Sequence, residues 1–276
     1  MLVLNEREFL RAVSFVRDNY GINLEKKYAL VQARLALDIE HKGYSSFAEY
    51  FDVVFANPHG AESQSMIDKI STNHTFFFRE PRCFEHMKNV AVPAFVKQGI
   101  RHICIWSAAS SSGQECYTIA MILDDLLKSR YGGVSFSILG TDVNSVVLKT
   151  AAEGIYSAAE IQKIPPSFQK RYCVRRQDGD YEISPALKSL ISWKKVNLIE
   201  PLRGIFRYHL LFCRNVMIYF DAATKEDLAK RLHKAIFNDG YLYLGSTETV
   251  DPARKYFTYI SPAVFARKQV SADEKR

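Results

Sequence analysis

The sequence predicts an α/β protein: a sheet flanked by helices, preceded by a small all-helical domain and interrupted by a small β insertion. Three observations lead there. Residues 5–70 carry apolar stripes at helical spacing. From residue 103 onward, short β-favouring apolar runs alternate with helical patterns, the succession that builds a sheet covered by helices. Between residues 163 and 192 that rhythm gives way to closely spaced turn signals. The expected divisions are 1–80 for the helical domain, 81–95 for a linker, and 96–276 for the sheet domain with its insertion at about 163–192.

Element by element, Phe9, Leu10, Val13 and Val16 form one helical stripe, and Tyr28, Val31, Leu35 and Ile39 a second. Ser45 or Ser46 caps a third helix that buries Phe47, Tyr50, Phe51 and Val54. Asn57-Pro58-His59-Gly60 is a turn, and a fourth helix covers residues 61–70. Ile103 to Trp106 reads as a buried parallel strand, followed by the small-residue loop Ser107 to Gly113 and a helix from Gln114 to about Lys128. Val134 to Gly140 is the next strand, ending in Thr141-Asp142, with a helix from Asn144 to about Glu153. Within the insertion, residues 172–175 and 180–183 pair as a hairpin across Asp178-Gly179. Further strands are expected at 190–196, 208–213, 240–245 and 256–266, and a helix at 223–237. The tail VSADEKR is expected to fray.

Composition narrows the class of function. No run of about 18 apolar residues suggests a membrane span, and the first residues lack the pattern of a signal peptide, so a cytoplasmic protein is expected. Five cysteines, scattered and odd in number, suit a reducing compartment, and no metal-ligand spacing is present. The net charge of +7 is uneven: residues 1–70 hold eight bases against ten acids, whereas residues 163–195 hold eight bases against three acids. That local excess is either a solvated face or a docking surface for an acidic partner. No basic stripe interleaved with stacking aromatics stands out, so no nucleic acid is expected.

Four segments carry chemistry. Strand, small-residue loop and helix start at Ile105 to Glu115 make the layout of a nucleotide-type cofactor site. The loop lacks both the dinucleotide glycine fingerprint and a phosphate-loop lysine. Glu115 there can sit near a cationic ligand group or simply complement a helix N-terminus. Asp142, at the end of the second strand, can hold a ribose diol or cap the helix that follows. Arg214 and Asn215 emerge at the carboxyl end of an apolar strand, where open α/β sheets bind ligands. In Thr72 to Glu80, three consecutive phenylalanines cannot share one helix face. They suit a segment wedged between two domains, either as a lid in which Asn73, Thr75 and Arg79 cover a cofactor or as a packing plug.

Together, the strings TNHTFFFRE, WSAASSSGQECYTIAM, ILGTDVNSVVL, LFCRNVMIYFD and GYLYLGSTET resemble the CheR family of chemoreceptor methyltransferases, in order and spacing, from about residue 5 to 267. The resemblance implies a class I methyltransferase sheet that binds S-adenosylmethionine (SAM) and releases S-adenosylhomocysteine. It implies SAM contacts at Asn73, Thr75, Arg79, Glu115, Asp142, Asn197, Leu198, Arg214 and Asn215. Glu115 would lie near the methionyl end, Asp142 at the ribose and Asn197-Leu198 by the adenine. Arg79 would bind the methionyl carboxylate or orient the substrate, and Tyr219 would line the substrate channel. The implied partners are the cytoplasmic helices of chemoreceptors, whose glutamates are esterified, with a receptor tail docking on the β insertion; a monomer is expected. The sequence departs from the family pattern at His74, Phe76, Cys116 and His209. Competing readings keep the fold but change the acceptor to another protein or RNA, or retain SAM binding without transfer.

Overall fold

The computed structural model describes residues 2–204, 206–248 and 255–268. Helices α1 (Glu6–Tyr20), α2 (Tyr28–His41), α3 (Phe47–Ala56) and α4 (Ala61–Ile70) come first. Asn5 and Glu8 close a capping box on α1, and Gly21 ends it with φ 71°. Ser46 caps α3 through the N–H of Glu49, while Ser45 donates to the Glu49 carboxylate. The four helices share one buried cluster that includes Phe9, Val13, Val16, Val31, Leu35, Phe47 and Phe51. Leu10, expected in the first stripe, is instead 57% exposed, and Tyr28 lies at the rim, where its hydroxyl donates to the Leu4 carbonyl.

The stretch expected as a linker, 81–95, is helical. α5 (Arg82–His86) runs through a π-helical turn, Met87–Ala91, into α6 (Val92–Lys97). Phe84, Met87, Ala91, Val92 and Phe95 are buried against the sheet. Their spacing is amphipathic, so hydrophobic burial overrides a linker role. The wide turn precedes Pro93, which lacks the N–H that would close a regular turn.

The main sheet contains β1 (His102–Ala108), β2 (Ser135–Asp142), β6 (Ile191–Lys195), β7 (Tyr208–Cys213), β8 (Ile236–Leu244), β9 (Phe257–Ser261) and β10 (Val264–Arg267), in the order β6-β2-β1-β7-β8-β10-β9. The first five pair in parallel, and β10 runs antiparallel to both neighbours. This is the mostly parallel seven-stranded sheet of class I methyltransferases. The segment expected as one strand at 256–266 folds into two, because the chain reverses at Pro262-Ala263, where Ala263 has φ 66°. The crossovers carry α7 (Gln114–Arg130), α8 (Ser145–Glu153) and α12 (Ala222–Lys234); α12 stops short of 237 because Ile236 already belongs to β8.

Alternation along the central strands sends Ile105, Leu210 and Phe212 into one buried cluster and Trp106, Leu211 and Cys213 into another on the opposite face. A second, three-stranded sheet joins β3 (Ile155–Tyr156), β4 (Cys173–Arg175) and β5 (Tyr181–Ile183) in the order β3-β5-β4. Its short helices are α9 (Ala158–Ile161), α10 (Pro166–Tyr172) and α11 (Pro185–Lys188). The β4–β5 hairpin forms across Gly179 as expected, and β3 extends the unit back to residue 155. The C-terminal tail lies outside the described residues. Among the described residues, no helix is long and apolar enough to cross a membrane.

Candidate active site

The chain leaves β1 toward β2 on one side and later returns to β7 on the other. That reversal opens a crevice at the carboxyl ends of these strands. The cleft there contains about 1200 Å³ of atom-free space, part of it open to solvent. Pockets for small ligands and cofactors run to about 300–1,000 Å³. Asn73, Thr75, Arg79, Glu115, Asp142, Asn197, Leu198, Arg214, Asn215 and Tyr219 all line it.

One end is built on the loop after β1. Ala109, Ser111 and Gly113 adopt φ of 63°, 50° and 95°. Such left-handed turns cost non-glycine residues about 1–2 kcal/mol each and need outside support. Asp142 supplies it: its carboxylate accepts from the Ser111 N–H at 2.8 Å and from the Asn144 N–H at 2.9 Å. Asn144, not Asp142, caps α8 by accepting from Val146 and Val147. Burial raises the Asp142 pKa above that of an ordinary aspartate, and the N–H groups of Asn144, Ser111 and Val143 pull the other way. Each carboxylate oxygen retains acceptor capacity toward the cleft. Gly113 permits both the turn and close packing, since a Cβ there would lie 2.9 Å from the Ala151 Cβ and 3.1 Å from the Trp193 ring.

The other end is charged and paired. Arg214 donates through Nη1 to Glu115 at 2.8 Å, and through Nη2 to the Arg79 carbonyl at 2.6 Å and to Glu80 at 3.2 Å. Its guanidinium also lies 5.2 Å from the centre of the Phe84 ring. Glu115 accepts in addition from Ser107 at 2.8 Å. Glu80, which the sequence reading left without a role, binds Arg214, the Asn215 Nδ2 at 3.2 Å and the Ser246 N–H at 2.8 Å. Burial pushes its pKa up, but the Ser246 N–H, the Asn215 amide and the Arg214 charge outweigh burial and hold it below the ordinary value. Glu80 directly follows Arg79 in the TNHTFFFRE string, the only sequence signal that could have found it.

The three phenylalanines do not wedge between the helical and sheet domains. Phe77 is buried in the sheet core against Tyr156, and Phe78 stacks on Phe168 of the insertion. Phe76 stays at the cleft rim, with the Arg79 guanidinium 5.7 Å from its ring centre. Arg79 is held there by the His74 carbonyl at 2.7 Å. The helical domain contributes the α1–α2 loop, so Ile22, Asn23, Leu24 and Lys27 form a wall the sequence reading did not assign. Asn197 donates to the Asn19 carbonyl at 2.7 Å, and the Asn23 N–H to the Tyr219 carbonyl at 3.2 Å, tying this wall to the sheet. Val196 and Leu198 line the cleft beside Leu24 and Leu30, and both also pack in the buried cluster around Trp106 and Leu211.

These groups suit SAM. Two buried polar atoms of cleft-lining residues, the Ser110 Oγ and the Arg214 Nε, have no hydrogen-bond partner among the described residues. Buried polar atoms are normally paired. A ligand with hydroxyls and a planar ring would meet the Asp142 carboxylate and the wall formed by the α1–α2 loop.

Comparison with known proteins agrees. The family model described as CheR methyltransferase, all-alpha domain, matches residues 7–71, and that described as CheR methyltransferase, SAM binding domain, matches residues 73–265. A chemotaxis protein methyltransferase of Borreliella burgdorferi is 36% identical, over 96% of this chain and 95% of its own length. Chemotaxis protein methyltransferase Cher2 of Pseudomonas putida is 31% identical, over 91% and 94%. The Salmonella typhimurium chemotaxis protein methyltransferase is 32% identical, over 96% and 91%. The chain belongs to the CheR methyltransferase family, and SAM is its methyl donor.

Proposed function

We propose that the chain esterifies glutamate side chains on the cytoplasmic helices of chemoreceptors, as a cytoplasmic monomer serving adaptation in chemotaxis. The observation that carries the reading is the convergence of the expected residues on one cleft at the topological switch of a family-assigned methyltransferase sheet. Bound SAM supplies an electrophilic methyl group that an ionised carboxylate can take directly. Glutamate is ionised at neutral pH, so the chain need provide no general base. Its residues act by positioning and by excluding water. Asp142 accepts from the ribose hydroxyls, and Arg214 and Arg79 take the methionyl carboxylate end. Asn73, Thr75 and Arg79 cover the ligand, Asn215 contacts it beside Arg214, Glu115 balances charge near the methionyl end, and Leu198 with Asn197 borders the adenine. Tyr219 borders the channel of the acceptor glutamate.

The β insertion supports docking of an acidic receptor tail. Arg176 is engaged by Asp178 and Glu182, and Lys188 by Glu182. Lys170 and Arg175, among the described residues, stand outside the ion pairs. Reversing Arg175 and Arg176 to Glu is expected to weaken receptor binding and leave SAM affinity intact. Incubating the protein with methyl-labelled SAM and chemoreceptor membranes tests the main reading. Base-labile label on receptor glutamates, absent with Asp142→Ala, is expected. SAM binding without such label would transfer the reading to another acceptor.

A further inference from the structure

The GYLYLGSTET string touches the site through the Ser246 N–H, and its penultimate residue, Glu248, is a buried carboxylate. Glu248 is 9% exposed and accepts three backbone hydrogen bonds: from Gly245 at 2.6 Å, from Asn215 at 2.9 Å and from Met217 at 2.7 Å. Two of these donors belong to the corner that follows β7, and the third to the end of β8. At that corner Asn215 holds φ 58°, a left-handed conformation that a non-glycine residue keeps only where its surroundings impose it. Glu80 grips the same residue from the other side through the Asn215 Nδ2 and also binds the Ser246 N–H. The fit is close: a Cβ at Gly245 would stand 2.5 Å from the Asn215 Nδ2 and 2.9 Å from the Glu248 Oε2.

We infer that Glu248 is a positioning residue for the methyl-donor site, fixing the corner from which Arg214 and Asn215 reach the ligand. The inference rests on the reading of those two residues as SAM contacts. Only a carboxylate meets the demand, because it offers acceptors on both oxygens and no donor. A glutamine in its place would turn one oxygen into an N–H donor facing backbone N–H groups, releasing either Met217 or the Asn215–Gly245 pair.

The test uses the full chain and two readouts: SAM affinity by titration calorimetry, and amide hydrogen exchange of the ligand-free protein. Glu248→Gln is expected to bind SAM about tenfold more weakly, since small misplacements in a site carry penalties of at least this size. The Asn215 and Met217 amides should exchange faster. Gly245→Ala, which retains every hydrogen-bonding group but presses on the same corner, should weaken SAM in the same direction. Leu126→Ala, about three turns along α7 from Glu115, should lower the melting temperature and leave SAM affinity within about twofold. Folded Glu248→Gln that binds SAM as wild type overturns the inference; if that variant does not fold, wild-type affinity in Gly245→Ala does so. A wild-type chain that fails to bind SAM overturns the site reading, and this inference with it.

Discussion

The two ends of the cleft hold their charged side chains in different ways. At the β2 end, Asp142 is fixed by backbone N–H groups, so its negative charge faces the cleft without a formal counter-ion. At the β7 end, Arg214 sits between Glu115 and Glu80, and the charges largely answer one another inside the protein. A carboxylate held by backbone dipoles keeps its charge for the ligand but remains open to protonation. A guanidinium keeps its own charge at any ordinary pH, but the ensemble collapses when one member goes. The β2 end should therefore be sensitive to acid, and the β7 end to truncation.

The largest expected effect lies at the β7 end. Arg214→Ala strands Glu115 and Glu80, and breaking a buried ion pair by removing one partner costs about 3–5 kcal/mol of stability. Chemical denaturation measures it, and a loss under about 1 kcal/mol would erase the contrast. Next, Asp142→Ala removes a charged acceptor. Hydrogen bonds to charged groups contribute about 1.5–3 kcal/mol, so SAM affinity should fall about 10–100-fold by calorimetry.

The third prediction uses acid. Because the folded Asp142 pKa is raised, its carboxylate takes up a proton at a higher pH than the ordinary value of 3.8. SAM affinity should therefore weaken on acidification before ordinary aspartates titrate, by up to about tenfold per pH unit. In Asp142→Asn this dependence should vanish. For stability the two ends have opposite signs. The burial cost of ionised Asp142 appears as pH rises from 3.8 through its raised folded value, whereas the contribution of Glu80 is present above 4.5 and is lost as pH falls through its depressed one. The smallest effect belongs to Tyr219→Phe, which should slow transfer only a few-fold, well below the loss at Asp142. A Tyr219→Phe enzyme as inactive as Asp142→Ala would assign the tyrosine a larger share of the chemistry.

Much of this was legible in the sequence because periodicity and small-residue loops are local signals. The strands around Ile105, Ile138 and Leu211 announce themselves as apolar runs, and Gly113 marks the tight turn into α7. The partners of Arg214 were not legible. Glu80 and Glu115 lie 134 and 99 residues away, and no local pattern reports a contact across that separation. Leu10 shows the converse error: its place in an apolar stripe does not reveal that α1 turns it outward. The 81–95 stretch was misread because it lies between two recognisable units, although its own apolar spacing was helical.

The helical domain has its own buried cluster, separate from the two on either face of the sheet. Around the cleft the halves meet through hydrogen bonds such as Asn197 to Asn19, Gln64 to Val143 and Asn144 to Asp68. Separate cores can melt as separate cooperative units. A molecule lodged between them touches both, so its binding energy opposes their parting. At a concentration 100 times its dissociation constant, such a ligand adds about 2.7 kcal/mol to the folded state. A methyl donor seated in this cleft would act in this sense as a keystone, joining the two halves into one unfolding unit.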